Sequence, residues 1–177
     1  QHRYLRRGAV VVPKHIFVAV PLMAVLAVLH TSVLAQIPVL GAAPQLLFLV
    51  ALAWGIVRGM EEGLAWAFVA GMFTDLFSLA PLGISALAFM AGVAGPLMIR
   101  RALPPHRLLV AMFLAALGTV IYLTVYAVGL RIFGFGIGLV GLAELLPLIG
   151  FHAILILPIY LIVDSILRTF RPRRVEF

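Results

Sequence analysis

Hydrophobic residues in this chain do not alternate with polar ones at a helical or strand period; they run in six long blocks separated by short polar or turn-forming breaks. Blocks of this length and continuity predict membrane-spanning helices. They run from Ile16 to Gln36, Gly41 to Val57, Gly63 to Ala80, Leu82 to Ile99, Leu108 to Leu130 and Glu144 to Leu167. The breaks carry suitable turn chemistry: Pro38, Gly41 and Pro44 after the first block, Pro81 with Gly83 after the third, and Pro104 with Pro105 after the fourth. Trp54 and Trp66 near one set of helix ends, and Tyr122 and Tyr126 near the other, sit where aromatic anchors meet the membrane surfaces. The first block, with its basic start and Val33-Leu34-Ala35, imitates a secretory signal. Its apolar length fits an uncleaved span better.

Composition sharpens this picture. Of 177 residues, 64% are hydrophobic and 11% charged, against about 25% charged in soluble domains. The mean hydropathy is +1.21. Six spans of about 20 residues use roughly 120 positions, which predicts a single integral membrane domain over 1–177 with no separate soluble unit. There is no cysteine, so a disulfide scaffold is excluded.

Charge sets the orientation. The net charge is +7, and with six spans twelve of the thirteen basic residues fall on one side, Arg131 alone lying opposite. The positive-inside rule makes that side cytoplasmic and places both termini there. Juxtamembrane arginines of this kind contact anionic lipid rather than nucleic acid. The stretch Arg131 to Gly141, with four glycines and two phenylalanines, predicts an outer loop in the membrane interface, either a docking place or a plain connector.

The third and fourth blocks hold the most specific chemistry. Gly63, Ala67, Gly71 and Asp75 recur every fourth residue and so share one helix stripe, where small side chains admit a second backbone. At about 1.5 Å per residue, Asp75 lies roughly 18 Å beyond Gly63, past the bilayer midplane. A carboxylate there must face protein. It either anchors a partner helix or accepts hydrogen bonds from the Ser78–Ser85 turn. Ala88, Gly92 and Pro96, with Ala91 and Gly95, form matching small faces on the next helix, expected to pack on the third helix or on a partner. Asp164 and Arg168 are spaced for an ion pair, and Glu144 suits a helix start. His30, Glu144 and His152 map to the outer half as candidates for a polar pocket. No HxxxH, HExxH, GxSxG or P-loop accompanies them, so no metal, cofactor or catalytic residue is expected.

The run Gly71-Met-Phe-Thr-Asp75-Leu-Phe-Ser78-Leu-Ala-Pro81-Leu-Gly83-Ile-Ser-Ala86-Leu87 resembles the signature of the MreD family, rod shape-determining membrane proteins of bacteria. Met72, Phe73 and Leu79 depart from its usual pattern; Gly71, Asp75, Pro81 and Gly83 match it. The resemblance implies a non-enzymatic multi-pass protein of the bacterial inner membrane and cell-elongation machinery. It would bind MreC and work indirectly with MreB, RodZ, RodA and penicillin-binding protein 2 in peptidoglycan synthesis. It also implies a fold like the substrate-binding subunits of energy-coupling-factor transporters. The competing reading is a small-solute or lipid-binding transport subunit. Against a polar solute, the chain contains no asparagine and has glutamine only at 1, 36 and 45.

Overall fold

In a computed structural model, the described residues are 16–32, 44–100, 103, 107–135 and 146–169, and they form an all-helical bundle. Six helices follow one another: α1 (Ile16–Ser32), α2 (Leu46–Arg58), α3 (Met60–Leu76), α4 (Ile84–Ile99), α5 (Arg107–Ile132) and α6 (Leu146–Thr169). Each falls on one of the six apolar blocks. Two stretches, Leu108–Ile132 and Pro147–Arg168, are long and apolar enough by themselves to cross a membrane.

The bundle is organised around α2, which touches all five other helices. Its thirteen residues are only about 20 Å long, and it is apolar around its whole circumference, the composition of a helix with no solvent face. Leu47, Phe48, Leu49, Ala51, Leu52, Ala53, Gly55 and Ile56 are all buried. Consecutive helices α3, α4, α5 and α6 pack side by side, and α1 lies against α3 and α2. The α1 contact face is the four-spaced row Ala19, Met23 and Ala27, while Val18, Leu22, Val25 and Leu29 point outward. The outward faces of α5 and α6 carry Leu109, Phe113, Ile154, Leu161 and Ile162. A surface this apolar suits lipid rather than water.

Helix ends shift from the expected boundaries for local reasons. The third helix starts at Met60, three residues before Gly63, because Gly59 alone breaks the chain with φ 110° and ψ 174°. That backbone region is essentially restricted to glycine. Glu61 and Glu62 then occupy the first turn, where the helix dipole favours anions. The same helix stops at Leu76 rather than Ala80, because the chain turns immediately after Asp75. At the end of α5, Gly134 (φ 82°) donates its N–H to the Arg131 carbonyl at 3.1 Å, and Phe135 donates to that of Leu130 at 3.0 Å. This pair of bonds is a Schellman stop, so Arg131 and Ile132 are helical, whereas 136–141 lie outside the described residues.

Candidate functional site

The turn from α3 to α4 is assembled around one carboxylate. Asp75 is 2% exposed and accepts three backbone N–H bonds: Gly83 to Oδ2 at 2.8 Å, Ser85 to Oδ1 at 3.1 Å and Ala86 to Oδ2 at 3.4 Å. The start of any helix leaves its first N–H groups without intrahelical partners. In α4, Ser85 and Ala86 are answered by Asp75, and Ile84 donates to the Pro81 carbonyl at 3.4 Å. Regular bonding then begins with Leu87 N–H to the Gly83 carbonyl at 2.9 Å. Gly83 has no side chain to cap the helix and holds φ at 96°, so Asp75 caps from the preceding helix. The turn also binds itself, with Ser78 N–H on the Asp75 carbonyl at 3.2 Å and Ala80 N–H on Ser78 Oγ at 3.1 Å. At the tip, Leu76, Phe77, Leu79 and Leu82 are exposed, Leu79 completely.

The stripe that leads to Asp75 is filled by the protein's own helices. A Cβ on Gly71 would stand 2.3 Å from the Ala86 Cα, and one on Gly63 would stand 2.6 Å from the Gly55 Cα. Ala67 between them is fully buried. The stripe therefore meets α2 at one end and α4 at the other. The small face of α4 turns mostly to α5, not to α3: a Cβ on Gly92 would lie 2.7 Å from Tyr122 Cβ, and one on Gly95 2.5 Å from Ile121 Cδ1. Pro96 explains part of this choice. It has no N–H, so the Gly92 carbonyl loses its helical donor. A Cβ on Gly118 would lie 2.5 Å from that oxygen, so a side chain there would collide with the backbone it faces.

His30 and His152 have different surroundings. His152, fully buried, receives the Gln45 backbone N–H on Nε2 at 3.0 Å, so its proton sits on Nδ1. That nitrogen donates to Thr119 Oγ1 at 2.9 Å, and the hydroxyl in turn donates to the Ala115 carbonyl at 2.7 Å. The chain of bonds ties α2, α5 and α6 together beneath Phe48 and Tyr122, whose rings lie 6.3 Å from the imidazole. Both ring nitrogens are thus occupied by protein. His30 lies in the last turn of α1, which packs on α3 and α2, and its Nδ1 is buried without a partner. Glu144 lies outside the described residues. Among the described residues no three His, Asp or Glu side chains gather as a metal site.

The family model for the rod shape-determining protein MreD matches residues 13–170, nearly the whole chain. The chain belongs to the MreD family. It is thereby a member of a membrane protein family with a role in rod-shape determination. No curated protein and no solved structure matches it. The Asp75 brace with its glycines is where the MreD-like run of sequence sits in the fold.

Two aromatic expectations are corrected by this MreD bundle. Trp66 is no surface anchor: it is fully buried and stacks on Trp54 at 3.9 Å between ring centroids, 15° from parallel. Trp54 donates its indole N–H to Glu62 at 3.0 Å, which also holds Arg58 in a two-point pair. Tyr122 is likewise a core residue, 4.8 Å from Phe48 and 5.5 Å from Phe89. The Asp164–Arg168 pair forms as spaced, at 2.7 Å. Sequence reasoning missed Thr119, Gly118 and Gly55. A threonine and a glycine one position apart inside an apolar helix are the only signal they leave.

Proposed function

We propose that this MreD-family protein is a non-enzymatic scaffold of the bacterial cytoplasmic membrane, with six spans and both termini cytoplasmic. The helix 3–4 hairpin receives an MreC-type bitopic partner, and through it the protein couples the cytoplasmic MreB filament to peptidoglycan synthesis. Family membership and the one-sided distribution of basic residues support the setting. The observation that carries the mechanism is the three-bond Asp75 cap. The buried carboxylate on the MreD-like motif holds a turn in fixed shape, with its accepting oxygens directed at backbone. Because the small stripe is occupied from within, the docking surface belongs to the apolar tip and outward face of the hairpin, at Leu76, Leu79, Leu82 and Leu87, all exposed.

The rival, a solute-binding transport subunit, draws no support from His152, whose nitrogens are both engaged. Affinity purification from native membranes in mild detergent, read by mass spectrometry, separates the readings. The scaffold reading expects an MreC-like protein with the wild type and its loss with a Leu79→Asp, Leu82→Asp variant that keeps its elution profile. Retention of the partner by that variant refutes docking at the tip. Recovery of an ATPase pair with a membrane coupling subunit refutes the scaffold.

A further inference from the structure

At the end of the bundle opposite Asp75, an open cleft of about 720 Å³ lies between the Gly59 turn and the end of α4, lined by Gly55, Gly59, Met60, Leu97, Met98 and Arg100. Its volume is that of a site for a small molecule. Its inner edge is where α2 and α4 close on each other, since a Cβ on Gly55 would stand 2.8 Å from Leu97 Cδ1. Beyond Gly59 the space is open, with no atom within 4 Å of the position a Cβ would take. The side-chain walls are apolar: Leu97 is buried, while Met60 and Met98 are exposed.

Among the described residues no ion pair neutralises the charge at the rim. Arg100 is exposed, and the ion pairs among the described residues are Arg58–Glu62 and Arg168–Asp164. The acidic groups of the adjoining turn are not paired with it: Glu62 is bound by Arg58 and Trp54, and among the described residues no ion pair joins Glu61 to Arg100. Arg101 follows directly in sequence. A slot with greasy walls and a cation that has no ion pair among the described residues complements a molecule with an anionic head and an apolar tail.

We infer that this cleft binds an anionic phospholipid of the cytoplasmic leaflet, its phosphate on Arg100 and its first acyl carbons between Met60, Leu97 and Met98. The leaflet rests on the topology proposed above; the lipid chemistry rests on the cleft alone. A soluble phosphate would satisfy Arg100 and leave the apolar walls unfilled.

The test uses the full chain in neutral detergent, titrated with phosphatidylglycerol or phosphatidylcholine and read by native mass spectrometry. Phosphatidylglycerol is expected to be retained in preference. Arg100→Gln should reduce that preference about fivefold, the factor one basic side chain near a charged surface supplies, and Arg131→Gln should leave it unchanged. Met98→Trp, at an exposed position that tolerates bulk, should lower retention by filling the slot. Equal retention of both lipids, equal loss from Arg100→Gln and Arg131→Gln, or displacement by glycerol phosphate each overturns the assignment. The chain has no cysteine, so Arg100→Cys labelled in intact cells with an impermeant maleimide reads the leaflet separately. Protection supports the cytoplasmic side; labelling from outside overturns the topology while the lipid preference stands or falls on its own.

Discussion

The chain reverses direction twice around α3, and the two turns are built differently. Between α2 and α3 it turns through Gly59 alone, using a glycine-only backbone angle and a Gly55–Gly63 approach that lets the helices meet at once. Gly59, the residue before α3, has no side chain with which to cap its first N–H groups, and Met60 and Glu61 beside it are exposed. Between α3 and α4 the chain takes the residues from Phe77 to Gly83, and the cap is a carboxylate 2% exposed, answering Ser85 at 1%. The difference follows from surroundings. Orphan N–H groups near water can bond to it, whereas buried ones cost several kcal/mol unless the protein supplies an acceptor. A charged acceptor serves best there because charge-assisted bonds are about twice as strong as neutral ones.

Substitutions at the two turns should separate these mechanisms. The largest effect is expected from Gly71→Leu, because the backbone of Ala86, rather than a movable side chain, stands 2.3 Å from the new Cβ. It should lose stability at or beyond the ~3 kcal/mol upper end of ordinary overpacking, read as loss of the monodisperse peak in detergent. A folded, heat-stable Gly71→Leu protein would mean the helices are not in backbone contact. Asp75→Asn comes next. The amide keeps one acceptor oxygen and turns a donor toward backbone donors, for a loss of about 2 kcal/mol. A lowered thermal midpoint in detergent checks it, and faster amide exchange should be confined to the start of α4. Exchange spreading equally to the start of α3 would remove the distinction between the turns. Gly59→Ala should be mildest. The site is open, so backbone strain of about 1–3 kcal/mol enters without lost packing or an orphaned buried donor, again read in the thermal midpoint. A drop larger than that of Asp75→Asn would reverse the ranking of the two turns.

Legibility in the sequence divides along the same line. The six helices could be read from block hydropathy because each block is long enough to outweigh local exceptions. The Asp75 cap is legible as one of two alternatives, since a carboxylate past the middle of an apolar helix must meet donors and the next turn lies within reach. The facing of the small residues could not be read. Four-residue spacing says that Gly63, Gly71 and Gly92 share close-packing geometry with some helix, but helix identity depends on crossing angles set by every neighbour at once.

What the sequence determined, then, is a set of membrane-suited helices, their order, the Pro81–Gly83 turn and the family they belong to. Only the tertiary structure decided that α2 is the buried axis, that Trp66 and Tyr122 are core rather than surface residues, and that His152 closes a bond chain through Thr119. The physical reason is that hydropathy is a property of each residue by itself. In a chain where nearly every face is apolar, hydropathy no longer distinguishes inside from outside. Close packing and hydrogen-bond satisfaction make that choice, and both are relations between residues distant in sequence.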